Sequence, residues 1–533
     1  MRILLPLAAA FAALATTSCA TVPQPLSTAE RATLWWGDVA TLSSDAMEGR
    51  LTGSPGYDRA AALVVERLQA LGLEPAGSDG FYQRIEFEEQ LLDPADARVM
   101  LVADGAETPL RVPQDMIVSR RGPIPASVSA PLVFIGYGLH MPEAGHDDFA
   151  GVDLRGKIAV FVSGGPASVS GALKSHARAE RARLLAERGA VGAISLTTPR
   201  QTETPWERGA AGATQSGMYF VDPEVRPVPV PFFEASVNPA EAERLFAGSG
   251  RRFSQVAALA DASAAVPGFA LRPTVRAQLR PSTRRLSAPN VVARLPGSDP
   301  RLRAEHVVLS AHLDGLGTTT TTATGDRVYN GALDNAAGVS ALLDIAAQMK
   351  RMRVRPRRSI LFVFVTGEEK GLLGSRYFSR RPTVPAASIV ADLNYDMALP
   401  LYPLTSITVI GADESSIGAD AAQIAQGIGL PLAPDPFPNR NSFIRSDQYS
   451  FIERGIPSVA FKFGFAADTP EAETERAWRA THYHQLTDDG SQPVFREDEI
   501  RLHDFISALA LRIADAEARP RWNETSFFRR FAR

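Results

Sequence analysis

The chain has 533 residues, with 56 Lys and Arg against 59 Asp and Glu, a formal net charge of −3, and 45% hydrophobic and 22% charged residues. This is a globular composition, enough at about 150 residues per domain for two to four domains, and it excludes a wholly disordered chain or one built as a single large basic surface for nucleic acid. The single cysteine excludes an internal disulfide and any all-thiolate zinc or iron–sulfur site, so a metal here must use His, Asp and Glu.

Residues 3–15 (ILLPLAAAFAALA) follow Arg2 and form an apolar run of signal-peptide length, too short to span a bilayer comfortably. The segment LATTSCA, followed by the tether TVPQP, resembles a bacterial lipoprotein signal in which the cysteine, here Cys19, becomes the lipidated first residue. Thr16 stands where such signals usually have Leu, and cleavage after Ala20 would leave a mature chain with no cysteine. Residues 1–20 are read as the signal-peptide segment, and both routes place the protein outside the cytoplasm. The expected location is the periplasm or cell envelope if Cys19 is lipidated, and secreted otherwise. No later run reaches the eighteen apolar residues of a membrane helix.

Tyr57, Ala61, Val64, Leu68 and Leu71 recur at three- and four-residue steps and predict a helix over 56–71, which Gly72 can end. From about Ala130 the character changes. PLVFIGYG (131–138), KIAVFVSG (157–164), GAVGAISLT (189–197) and VPVPFFEAS (228–236) predict short strands between Gly-rich turns. Helices are expected around 176–188 and 238–246. This is a β-rich segment of about 140 residues with no concentration of His or carboxylates.

From Ala288 strands and helices alternate. NVVARLPG (290–297), EHVVLSAH (305–312), SILFVFVT (359–366), ASIVADLN (387–394) and VAFKF (459–463) predict strands. The continuous apolar run at 359–366 suits a central parallel strand buried on both faces. Helices are expected at 339–349, 415–428 and 497–515. The alternation predicts a mostly parallel sheet with helices on both faces and a site at the carboxyl ends of its strands.

His312 and Asp314 follow one of those strands directly. Glu368 and Glu369 follow another, and Asp396 a third. Asp334 precedes the helix at 339–349, and His484 lies in THYHQLTDD. Imidazole and carboxylate donors without thiolate suit zinc. Two such ions a few Å apart need a bridging anion, which a carboxylate such as Asp334 can provide. They leave one further carboxylate to move a proton, a task Glu368 and Glu369 can divide with ligation. Taken singly, each residue is as compatible with a structural histidine, a solvated acidic pair or a helix cap.

The same residues carry a family resemblance. His-Leu-Asp (312–314) after VVLSA, GALDNAAG (331–338), TGEEKGLLGS (366–375), LNYDM (393–397), RSDQYSFIERGIPSVAF (445–461) and YHQLTDD (483–489) stand in the order seen in aminopeptidase Y-type co-catalytic dizinc exopeptidases. LSSDAMEGRLTGSPGYDRAA (42–61) is typical of them too, and residues 131–270 resemble an inserted protease-associated domain.

The resemblance implies a phosphorylase/hydrolase-like α/β peptidase with two Zn2+. His312 and Asp396 would hold one ion, Glu369 and His484 the other, and Asp334 both. Glu368 would be the general base. Asp314 would orient His312 through its second ring nitrogen, and a cis bond is expected at Asp334–Asn335. The implied division is 26–129 as the N-terminal part of the peptidase unit, 130–275 as the protease-associated domain, and 285–520 as the catalytic domain.

Peptides are the implied substrates, with no nucleic-acid partner, attachment to a membrane only through Cys19, and no oligomeric state implied. Carboxypeptidases belong to the same group of relatives, and Arg440 and Arg445 are the candidates to bind a substrate carboxylate. Related glutaminyl cyclases use one zinc, so five retained ligands disfavour them. A non-catalytic binding protein on the same scaffold would have no need of the base and five ligands together. Two positions depart from the family pattern, Leu333 before the bridging Asp and Gln448 after RSD, and both are expected to alter the substrate pocket.

Overall fold

The chain is described from a computed structural model covering residues 26–532 apart from 203, 204, 214, 321–324, 353, 438 and 439. The expected signal peptide and Cys19 lie outside the described residues. Among those described, no helix is long and apolar enough to cross a membrane.

Every residue of the strand Ser359–Val365 is buried. Ile360, Phe362 and Phe364 join one hydrophobic core, while Leu361, Val363 and Val365 join another on the opposite face. An unbroken apolar run is the sequence form of that two-sided burial. The larger core lies under the helices Thr28–Leu42, Pro55–Ala70, Ala337–Arg351 and Arg496–Asp515, and the smaller one under Leu373–Arg380 and Gln448–Ile452. Helices therefore cover both faces.

The sheet is mixed, not mostly parallel. Its order is Gly217–Phe220, Tyr82–Leu91, Ser282–Leu295, Ser359–Val365, His306–His312, Ile389–Asn394, Ser458–Phe463 and Ile407–Ile410, with Glu74–Pro75 paired to Ser282–Leu295. Only Ser359–Val365, His306–His312, Ile389–Asn394 and Ser458–Phe463 run parallel to one another. The rest pair antiparallel. The physical reason is connectivity. Tyr82–Leu91 and Ser282–Leu295 are the stems by which the chain leaves the central sheet and returns, and they lie side by side over a ten-residue register, Tyr82–Val291 to Leu91–Ser282. The outgoing strand alternates buried and exposed positions, the pattern of an antiparallel strand solvated on one face.

Between the stems lies a second sheet of eight strands, ordered Ala106–Pro109, Ala97–Ala103, Phe269–Leu279, Ser127–Phe134, Ile158–Val162, Gly192–Leu196, Phe233–Val237 and Met116–Val118. It has hydrophobic clusters of its own. It takes in strands from 97–118, ahead of the expected boundary near Ala130, because Ala97–Ala103 pairs with Phe269–Leu279. One piece of the same stretch, Gly217–Phe220, leaves it to pair with Tyr82–Leu91.

The helix Thr28–Leu42 was not anticipated from the sequence. Ser27 and Glu30 form a capping box at its start. Its buried face carries Trp35, whose indole donates to the Ala337 carbonyl at 3.1 Å, and Arg31, which pairs with Asp344 at 2.7 Å.

Candidate dimetal site

Three parallel strands deliver the chemistry. His312 is the last residue of His306–His312, Glu368 and Glu369 lie just beyond Ser359–Val365, and Asp396 just beyond Ile389–Asn394. This is the carboxyl edge of the parallel strands, where loops rather than side chains of the sheet meet. Asp334 and His484 reach the same place from loops before and after helices.

The structure brings five of the residues into two groups that share Asp334: His312 with Asp334 and Asp396, and Asp334 with Glu369 and His484. His312 Nε2 lies 3.2 Å from Asp334 Oδ1 and 3.6 Å from Asp396 Oδ1. His484 Nε2 lies 3.4 Å from Asp334 Oδ2 and 3.2 Å from Glu369 Oε2. Asp334 thus turns one oxygen to each histidine.

These separations test whether metal fits. Ligands at 2.0–2.1 Å around a tetrahedral zinc stand about 3.4 Å apart, which is the spacing found in both groups. His312 Nε2 and Asp396 Oδ1 are also buried with no hydrogen-bond partner, a costly state for polar atoms unless a cation satisfies them. The donors are nitrogen and carboxylate oxygen throughout, as zinc accepts. The residues fit a pair of zinc ions.

Electrostatics point the same way. Burial alone would raise the Asp334 carboxyl, but its contacts with His312 and His484 hold it well below the usual range. Burial would lower His484, yet Asp334 and Glu369 carry it up to about 11. Burial pushes Glu368 well above the usual carboxyl range.

Neighbouring groups hold the donors in place. His312 Nδ1 lies 3.2 Å from the Asp314 carbonyl oxygen, which orients the ring, while the Asp314 carboxylate is 3.9 Å away. That carboxylate instead accepts from the Glu368 amide at 3.0 Å and the Glu369 amide at 3.3 Å. Asp314 thus lies on the Nδ1 side of His312 through both its carbonyl and its carboxylate, and the carboxylate also holds the two amides of the turn after Val365. Ser446 donates to Asp396 Oδ2 at 2.5 Å. The Asp334–Asn335 bond is cis. His484 has φ +58°, a conformation that costs a non-glycine residue energy and recurs at functional sites. Its ring stacks on Tyr483 with centroids 3.8 Å apart.

Two buried residues that sequence reasoning did not single out complete the frame. Asp488 accepts from the Leu333 and Asp334 amides, both at 3.0 Å. Arg50 donates to the carbonyls of Leu313, Leu42, Asn330 and Gly331. It thereby ties the loop after His312 to the loop before Asp334. Both residues sit inside recognisable segments, YHQLTDD and LSSDAMEGR, but nothing local marks them as buried.

Glu368 and Glu369 open onto a cleft of about 550 Å3. The second sheet contributes to its walls through Arg121, Phe232 and Glu234. Arg445 lines it, whereas Arg440 is committed to Glu475 at 3.1 Å. Leu333 and Gln448 do not line it. Leu333 is a core residue. Gln448 is buried, accepts from Asn394 at 2.8 Å and donates to the Ser442 and Phe443 carbonyls. These two departures bear on packing and not on the cleft.

Two His/carboxylate groups sharing one aspartate, at the carboxyl edge of an α/β sheet, form the donor set of a dimetal site. Residues 290–504 match the model of Peptidase family M28. The chain is 30% identical over 261 residues to probable leucine aminopeptidase 2 of Aspergillus oryzae, covering 46% of this chain and 48% of that protein. It is 28% identical over 193 residues to leupeptin-inactivating enzyme 1 of Streptomyces exfoliatus, covering 36% and 39%. The chain thus spans less than half the length of these curated relatives. Its fold is similar to that of an aminopeptidase from Aneurinibacillus sp. strain AM-1, with a TM-score of 0.52, 18% identity, and coverage of 91% and 93%.

Proposed function

We propose that the protein is an exported zinc-dependent aminopeptidase that removes N-terminal residues from peptides. The observation that carries this reading is Asp334, whose two oxygens face two separate His/carboxylate groups. In this reading His312 and Asp396 would hold one Zn2+ and Glu369 and His484 the other, with Asp334 offering an oxygen to each. Zinc bound there supplies Lewis acidity toward a peptide carbonyl and lowers the pKa of water. Glu368 belongs to neither group, so its carboxylate takes the proton of the attacking water and returns it to the leaving amine. Asp314 fixes the start of both glutamates through their amides. The match of residues 290–504 to an M28 peptidase model supports the assignment.

The second sheet is read as the protease-associated module, walling one side of the cleft and restricting the size of substrates that reach Glu368. The leader within residues 1–20 is read as the export signal, with Cys19 retained as the lipidated first residue of the mature chain. A Cys19→Ser protein would then appear in the soluble fraction.

The test combines metal content with a peptide panel in free, N-acetylated and C-amidated forms. The expected result is about two zinc per chain, cleavage abolished by N-acetylation alone, and at least a hundredfold loss of rate in Glu368→Gln with zinc retained. Near-full hydrolysis by Glu368→Gln would overturn the mechanism. Release of the C-terminal residue in place of the N-terminal one, read by mass spectrometry of the products, would make the enzyme a carboxypeptidase.

A further inference from the structure

The walls of the cleft beside Glu368 carry three guanidinium groups. Arg121 follows the edge strand Met116–Val118 of the second sheet, Arg376 lies on the helix Leu373–Arg380, and Arg445 follows the turn Ser442–Ile444. Among the described residues none of the three has a carboxylate within ion-pair distance, and the Arg376 Nε is buried without a partner.

Their neighbours are committed. Arg226, on the same wall, donates to the Phe220 and Val221 carbonyls at 2.7 Å, and Arg440 is held by Glu475. The chain thus spends its other nearby arginines on structure and leaves these three facing the cleft.

The charge balance of the cleft follows. Two divalent ions would compensate the carboxylates of Asp334, Asp396, Glu369 and Glu368. The walls then keep Arg121, Arg226, Arg376, Arg445 and Lys370 against one lining acid, Glu234, with Glu453 acting on Arg376 from behind the wall. A half-enclosed cavity with that excess attracts anions, and a guanidinium matches the planar carboxylate with two parallel hydrogen bonds.

We infer that the cleft binds a carboxylate of the peptide substrate close to the scissile bond, which makes the enzyme selective for peptides with an acidic side chain there or for short peptides with a free C-terminus. The inference rests on the peptidase reading above. It names the ligand chemistry of the cleft, and the two sources of the carboxylate are separated by experiment.

Initial rates are measured on the zinc-loaded protein with Leu-Ala-Ala, Glu-Ala-Ala and Leu-Glu-Ala, each with a free and an amidated C-terminus, at low and high salt. At least one carboxylate position is expected to raise kcat/KM tenfold or more over amidated Leu-Ala-Ala, with the advantage shrinking at high salt. The favoured position identifies the source, side chain or C-terminus. Arg121→Ala, Arg376→Ala and Arg445→Ala, checked by melting temperature and zinc content, are expected to cut that ratio at least fivefold in one or more variants, with the lysine variant at the same position recovering part of it. Hydrolysis of the amidated neutral peptide as fast as all the others, or a ratio that none of the three variants moves, would overturn the inference and leave the peptidase reading intact. No hydrolysis of any peptide by zinc-loaded protein would overturn both.

Discussion

Arg50 offers the sharpest test of how the site is held. It is buried at 1% exposure, and its guanidinium donates to Leu313 O at 3.0 Å, Leu42 O at 2.7 Å, Asn330 O at 2.7 Å and Gly331 O at 2.9 Å. Arg50→Met keeps most of the volume and removes all four bonds. Charge-assisted hydrogen bonds contribute about 1.5–3 kcal/mol each, so the gross loss is roughly 6–12 kcal/mol. Relief from desolvating the buried cation returns several kcal/mol of that.

The net loss expected is therefore about 3–5 kcal/mol, read as a lowered urea midpoint of the apoprotein. The same bonds join the backbone after His312 to the backbone before Asp334. Zinc affinity, measured by competition with a chromophoric chelator, should accordingly weaken ten- to a hundredfold. Arg50→Lys keeps the charge but has one nitrogen to span four carbonyls, and should recover less than half of the stability. A loss under about 1 kcal/mol in the methionine variant with unchanged zinc affinity would refute the argument that Arg50 ties the two ligand loops together.

Other consequences follow from single contacts. Asp314→Asn replaces one of the two acceptors facing the Glu368 and Glu369 amides with a donor, and kcat/KM should fall ten- to a hundredfold with the protein still folded by circular dichroism. Gly374 leaves no room for a side chain, since a Cβ would lie 2.3 Å from the Thr366 carbonyl oxygen and 2.5 Å from Asn290 Oδ1. Gly374→Ala should cost about 1–3 kcal/mol in thermal or urea unfolding and loosen the Glu368–Glu369 turn. Burial would lower His503, but Asp344 and Glu499 carry it up to about 9. A raised folded-state pKa means stability fully present below about pH 6.5 and lost as pH rises through 9. The urea midpoint should fall across that window, on the order of 1–3 kcal/mol, and His503→Leu should flatten the profile.

Much of this protein was legible in local sequence. The run SILFVFV became a strand buried on both faces because alternate residues enter two different cores. The faces of the helices Pro55–Ala70 and Ala337–Arg351 could be read from residue spacing. His312, Glu368, Glu369 and Asp396 were conspicuous because charged groups directly after apolar strands are expensive unless used. Donor types and the absence of a usable thiol pointed to zinc.

Tertiary structure decided what depends on distant segments meeting. The sheet is only half parallel because residues 82–91 and 282–295, about two hundred positions apart, pair side by side, and no local period reports a partner. Arg440 and Arg445 are alike in sequence. Only folding sets one against Glu475 and the other on the cleft. Arg50, Asp488 and the Asp314 carboxylate act on backbone amides and carbonyls, groups that every residue has, so their partners leave no mark in the sequence. The sequence by itself determined which side chains could hold two metals. The fold decided how they are aimed, because aim is set by backbone hydrogen bonds between loops that are remote along the chain.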